Sequence, residues 1–252
     1  MLHEGPVPAV GDDELARVRA DFLGAPSDAF AARDQAVAEH DEFVLWFEAD
    51  VFDQLQVVQI LARLAGREVR VELICIGEHL GFARFGGLGE LGSEQLAALP
   101  AITLSAESFE YATRAWDALR SPDPTALNAI AASRSTELRF VAEAFERLSR
   151  EYPSTRDGLA LSERRLLAAT AAGARTREEA FVRAAARETR PFLGDTWAFE
   201  RLERLAPLIG TDLGQDVLAG RAHFVTDRAI GGARTPGWRW DEGTERIVAF
   251  ER

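Results

Sequence analysis

The chain has 252 residues, 47% hydrophobic and 28% charged, a globular composition long enough for one large domain or two small ones. A net charge of -12 with no lysine speaks against a nucleic-acid partner. No apolar run approaches the roughly 18 residues of a membrane helix and no secretory leader is visible, so a membrane partner is not expected and the location is read as cytoplasmic. The charge is uneven: residues 1–150 hold 13 Arg and 25 acids, whereas residues 151–252 hold 16 of each.

In chain order, residues 12–23 place Leu15, Val18, Phe22 and Leu23 at helical spacing, with Asp12 or Asp13 as N-cap. A second helix is expected over 27–40, starting at Ser27. Phe43–Phe47 is an apolar run of strand length. Val51–Leu64 follows as a helix, closed near Gly66. Val69–Ile76 is a second strand, and it contains the single cysteine, Cys75, which reads as a small buried hydrophobe. Strand, helix and strand within this span predict a right-handed βαβ unit with parallel strands. The near-continuous apolar strands predict a sheet covered on both faces.

A glycine-rich loop, GFARFGGLGELG, leads to a helix from Ser93. Within it, Gly87-Leu88-Gly89-Glu90-Leu91-Gly92 matches GxGxxG but stands some ten residues beyond Ile76. A dinucleotide fingerprint turns directly off its strand, so a loop closing over the sheet edge is the preferred reading. Helices are expected over 106–120, 124–132 and 135–150, with a turn at Ser121–Pro124. Glu151–Gly158 is read as a break, where the charge balance changes. Beyond it come helices over 162–172, 177–189, 196–206 and 211–219, a short strand at Pro207–Ile209, and a hairpin from Trp238 to Phe250. Asp195 or Thr196 is the expected N-cap of the third of these helices, and Phe192 a core plug.

The fold class is therefore α/β: a parallel sheet flanked by helices, then a mainly helical, winged-helix-like C-terminal region. Three parts are expected: a Rossmann-like domain over 1–120, a helical linker region over 121–158, and a winged-helix-like domain with a C-terminal hairpin over 159–252.

In open parallel sheets, ligands bind beyond the carboxyl ends of the strands. Glu48, Asp50 and Asp53 lie there. Capping accounts for Asp50 and Asp53, which leaves Glu48 and Gln54 as the more telling pair. The candidate binding residues are His3, Glu4, Glu48, Asp50, Asp53, Gln54 and Arg156. Arg156 belongs to Pro153–Gly158, which is either an anion cradle or a linker turn. The four histidines are scattered and predict no metal site. The cofactor and the oligomeric state are left open. In the candidate recognition helix Trp197–Ala206, Arg201 and Arg204 stand beside Glu200 and Glu203, a poor surface for DNA.

Several stretches taken in order resemble a bacterial family known only as domain of unknown function 1835. Leu2–Pro8 (LHEGPVP) is similar to its "VLHEGPVP" segment, and Leu45–Gln56 (LWFEADVFDQLQ) to its "LWFE-D-DQLQ" segment. Phe85–Leu91, Ser121–Pro124, Pro153–Gly158 and Pro191–Asp195 match in the same order. The resemblance implies an α/β N-terminal domain and a winged-helix-like C-terminal region, with no assigned activity. Family members carry a further strand and helix ahead of the first segment. The chain, with Met1 at the family's valine, is expected to lack them.

Three functions are compatible with these residues. The first is binding of a small polar or phosphorylated ligand at the strand ends, in a regulatory or interaction role. The second is a Mg-dependent hydrolase or transferase acting on a phosphorylated small molecule. The third is a winged-helix DNA-binding regulator.

Overall fold

The computed structural model describes residues 2–26, 28–82 and 84–250; the helix start expected at Ser27 lies outside them. The described chain is mixed α/β and divides into two compact units, one of residues 1–146 with 229–233, the other of 147–228 with 234–252.

In the first unit the central element is β2 (Glu42–Glu48), α3 (Val51–Leu64) and β3 (Arg70–Ile76). The strands pair in parallel over their whole length, from Glu42 opposite Arg70 to Glu48 opposite Ile76. α3 is amphipathic in the required sense: Val51, Leu55, Val57, Val58, Leu61 and Leu64 are all buried, and α5 (Ala106–Arg120) packs on it through Ala112, Ala115, Trp116 and Leu119. Each large apolar side chain so buried contributes about 1.5–3 kcal/mol. A two-residue strand, β4 (Ile102–Thr103), pairs antiparallel on the far side of β3, so the sheet is mixed.

β3 is covered on both faces, with Leu73 and Ile74 both buried, but β2 is not. Along β2 exposure alternates, with Val44 57% and Trp46 44% exposed and the intervening residues less so. A continuous apolar run was read as a doubly covered strand, but only the face of Phe43, Leu45 and Phe47 is shielded. Periodicity cannot separate the two cases when the exposed face is itself apolar.

α1 (Asp12–Leu23) and α2 (Ala31–Glu39) precede β2. Gly11, not Asp12 or Asp13, occupies the N-cap of α1, and the two acids fill its first turn. The chain start forms β1 (Gly5–Pro6), parallel to β5 (Ala229–Gly231) from the far end of the sequence. The approach of this segment to the end of α5 needs Gly231 and Gly232. A Cβ on either would stand 2.1 Å or less from the carbonyl oxygens of Leu119 and Arg120, so backbone meets backbone where α5 ends. Helix α4 (Ser93–Ala97) and the helices α6 (Ala126–Ala131) and α7 (Val141–Ser149) complete the unit, with α7 carrying the chain into the second.

The second unit packs α8 (Leu161–Ala171), α9 (Arg177–Ala185), α10 (Asp195–Arg204) and α11 (Asp212–Leu218) around Leu159, Leu166, Leu167, Leu202, Leu205 and Val217. β6 (Trp238–Asp241) and β7 (Arg246–Ala249) form the expected antiparallel hairpin. Two readings change. Pro207–Ile209 is a turn rather than a strand, and the N-cap of α10 is Gly194, with Asp195 accepting the Thr196 N–H.

The segment read as a break is not a solvated linker. Glu151, Tyr152, Ser154 and Asp157 are all buried. Glu151 accepts from Arg147 Nη1 (2.9 Å) and from Ser162 Oγ (2.6 Å) and Ser162 N (3.2 Å), and Arg201 Nη2 lies 3.0 Å from it. Arg228 Nη2 donates to its carbonyl at 2.8 Å. Burial alone would raise its pKa; the guanidiniums of Arg201, Arg147 and Arg228 overcome that and hold it well below the usual carboxylate range. Arg147 also grips Glu188, which Arg165 contacts in turn.

Removing one member of a buried ion cluster strands the others. Glu151→Gln is therefore expected to lower the stability of the second unit by about 3–5 kcal/mol, read by chemical denaturation. A depressed native pKa stabilises above the unfolded carboxylate pKa and is lost as pH falls through and below it. The gap between wild type and Glu151→Gln should narrow in acid; an unchanged gap down to the acid limb would contradict the ion-cluster account.

Candidate functional site at the strand ends

The carboxyl end of β2 meets the first turn of α3, where four backbone N–H groups lack helical partners. The sequence supplies acids to meet them. Asp50 is the N-cap, and its Oδ1 accepts from Asp53 N at 2.9 Å. Asp53 Oδ2 accepts from Glu48 N at 2.6 Å, so the helix's first turn ties back to the last residue of the strand. Gln54, buried one residue further on, donates through Nε2 to Glu48 O at 2.6 Å and to Cys75 Sγ at 3.3 Å. Cys75 is the β3 partner of Phe47, so Gln54 spans both strand ends.

Glu48 faces the glycine-rich loop. Its Oε1 accepts from Leu88 N at 2.7 Å. The contact depends on Gly87, whose φ of 149° favours glycine and whose added Cβ would lie 2.5 Å from both Glu48 carboxylate oxygens. Glu90 accepts from Gly86 N at 2.9 Å and closes the loop on itself. The GxGxxG match is thus a loop and a single 3-10 turn (Leu88–Glu90) fastened over the strand end by a side chain. It is not a strand-to-helix turn presenting N–H groups to a pyrophosphate.

Burial raises the pKa of Asp53 to about 6, and repulsion from Asp50 and Glu48 adds to it. Glu48 is also raised, by burial first and then by Asp50 and Glu90. The strand end therefore holds one carboxylate, Asp53, whose charge changes in mildly acidic solution, beside a second, Glu48, shifted in the same direction.

Glu48, Asp50, Asp53 and Gln54 are joined by direct hydrogen bonds. His3 is buried with its ring edge-on to Phe52 at 6.0 Å, beside the first turn of α3. Glu4 is buried too, but it stands with Arg19, which donates to the carbonyls of Glu4 (2.8 Å) and Pro6 (2.9 Å). Burial lowers the Arg19 pKa to about 10, against the attraction of Glu4. Arg156 lies in the second unit, where its Nη2 donates to Leu218 O at 2.9 Å, at the last residue of α11. Among the described residues, no group of three or more His, Cys, Asp or Glu side chains is placed to hold a metal ion. The carboxylates at the strand end point to backbone N–H groups instead.

Sequence reasoning missed the Leu88 N–H, Arg19 and Cys75. Cys75, expected as a small buried hydrophobe, is only partly buried and accepts from Gln54 Nε2. The Leu88 contact carries no local signal, because it joins residues forty positions apart.

Two outcomes test this geometry. A raised carboxylate pKa stabilises most below the unfolded value and loses that advantage as pH rises to the native one. Asp53→Asn keeps an acceptor for Glu48 N, so it should be more stable than wild type above about pH 6 by about 1–2 kcal/mol, after allowance for partial exposure. The difference should fade toward about pH 4 in parallel melts. Gly87→Ala should push the Glu48 carboxylate off Leu88 N and destabilise by about 1–3 kcal/mol. Faster exchange of the Leu88 amide would report the release, and an unchanged Leu88 amide would contradict it.

Comparison with protein-family models, curated proteins and solved structures found no match for this chain.

Proposed function

We infer that the protein is a ligand-responsive binding protein. In this reading the first unit takes a small polar molecule at the carboxyl ends of β2 and β3, beneath the glycine-rich loop. The observation that carries it is the single carboxylate, Glu48, which ends a parallel strand and fastens that loop. A ligand that engages Glu48 must exchange with Leu88 N, so occupancy and loop position are coupled.

The chemistry favours a hydrogen-bond donor, such as an amine or a polyol, over a phosphate. Asp50 and Asp53 already occupy the positive end of α3, and an anion would meet three carboxylates there. This narrows the sequence-based expectation of a polar or phosphorylated ligand to its polar branch. An acid–base enzyme is the second reading, favoured by Asp53, whose pKa near 6 suits proton transfer at neutral pH.

The second unit we read as a winged-helix-like module for protein contact rather than DNA. Of the two arginines in its candidate recognition helix, Arg201 is buried against Glu151 and Arg204 is paired with Glu200. No helix among the described residues is long and apolar enough to cross a membrane.

Thermal shift with spermidine and glucosamine against AMP and ribose 5-phosphate separates these readings. Binding at a hundredfold excess over Kd stabilises by about 2.7 kcal/mol, or several degrees for a chain of this size. The amine set should raise Tm in wild type and not in Glu48→Gln. Stabilisation by the phosphates that survives Glu48→Gln would overturn the assignment.

A further inference from the structure

No residue of β2 is fully buried, whereas in β3 Val71, Leu73, Ile74 and Ile76 are. β2 is also the outer strand of its sheet, paired with β3 on one side alone. Among the described residues, no backbone hydrogen bond from Phe43 to Phe47 reaches any segment other than β3. We propose that this outer edge is a docking site for an extended basic segment of a partner protein, which adds to the sheet as a further strand. The edge is distinct from the Glu48 contact with the loop, so the proposal does not rest on the strand-end ligand.

A strand paired on one side leaves a row of N–H and C=O groups facing outward on the other. Such edges are ordinarily guarded by a charge within the strand, a proline, a bulge or a covering element. The run from Phe43 to Phe47 has no charge and no proline, and its register with β3 is unbroken, so no bulge turns it aside. Nor is it covered, because Val44 and Trp46 are both exposed. These two residues are two apart and so lie on one face of the strand. An added strand lays its own side chains beside them, where β-branched and aromatic neighbours across a ladder attract. Pairing of this kind takes its affinity from the backbone and its selectivity from alternate side chains.

Charge selects the occupant. At the start of the run stand Glu39, Asp41 and Glu42, all exposed, and Glu72, which pairs with Arg70. Arg67 lies at the same end and donates to the carbonyls of Val37, Ala38 and His40. Four acids therefore face two arginines there. At the other end are Glu48, Asp50 and Asp53. Burial raises the pKa of Glu48 and Asp53, and the neighbouring charges that add to it are acids. An apolar centre between two negative ends matches a segment whose apolar residues are flanked by arginine or lysine. A second copy of the chain fits poorly. Antiparallel self-pairing centred on Leu45 sets Glu42 of each copy against Glu48 of the other, and like charges directly opposite are destabilising.

The test titrates three end-capped peptides, RVTVTVR, EVTVTVE and RVTPTVR, into the whole protein and follows the backbone amides of residues 43–47 by NMR. RVTVTVR should shift them saturably and slow their exchange with solvent. It should bind at least about tenfold more tightly than the acidic peptide. The proline peptide keeps the charge but breaks the ladder, so it too should bind at least about tenfold more weakly. Val44→Lys changes an exposed side chain and sets a cation on the edge. It should weaken RVTVTVR several-fold while the other amides keep their positions. Binding of EVTVTVE or RVTPTVR as tight as that of RVTVTVR overturns the proposal, as does the absence of a saturable shift at about 1 mM peptide. A dimer in sedimentation that Val44→Lys dissolves gives the edge to a second copy and overturns it as well.

Discussion

Two parallel strands can be joined only by a crossover, and in the first unit α3 is that crossover. Its consequences reach most of the polar groups nearby. A helix entered two residues after a strand delivers four unpaired N–H groups to the strand's end. Asp50 and Asp53 meet two needs at once: they satisfy the turn, and they bind the strand's last amide. Because those acids are committed, Glu48 is left to reach the loop. Moving the cap by one residue would reassign every one of these contacts, so the site is a by-product of how the crossover begins.

The second unit solves a different problem. It buries charge rather than placing it at an element's end. Glu151, Glu163 and Glu188 are met there by Arg147, Arg165, Arg201 and Arg228. Such a cluster is weak evidence for net stability, because desolvation offsets much of the attraction. Its effect on arrangement is clearer. Each guanidinium is held by partners from separate segments: Arg147 in α7 meets Glu188 beyond α9, and Arg201 in α10 meets Glu151. An apolar contact tolerates sliding, whereas a bidentate pair does not.

How much of this was legible in the sequence depends on how local each signal is. β2, α3, β3 and the hairpin are visible because apolar runs, caps and turn residues lie within a few positions of one another. The pairing of Gly5–Pro6 with Ile230–Gly231 is invisible, since two residues at opposite ends of the chain carry no periodicity. The buried segment from Glu151 to Gly158 was misread for a physical reason. Polar residues that satisfy one another inside a protein have the same composition as a solvated turn. Arg147 and Glu151, four apart at the end of a helix, are the local sign that this acid is paired. Val44 and Trp46 show the converse, apolar residues in a strand that the fold leaves exposed.

The candidate site departs from the usual use of a strand end in α/β proteins. There the helix N-terminus is commonly left open, and its dipole and free N–H groups attract an anion. Here two carboxylates fill it, and a third stands beside them, so the local field has the opposite sign. That arrangement is unfavourable by itself. Three acids share one small, partly buried region; burial first, and their repulsion after it, raises the pKa of Asp53 and of Glu48. A proton relieves it, and so would a donor or cation from outside. The same burial and repulsion that disfavour the ionised acids would give a donating ligand its advantage over an anion.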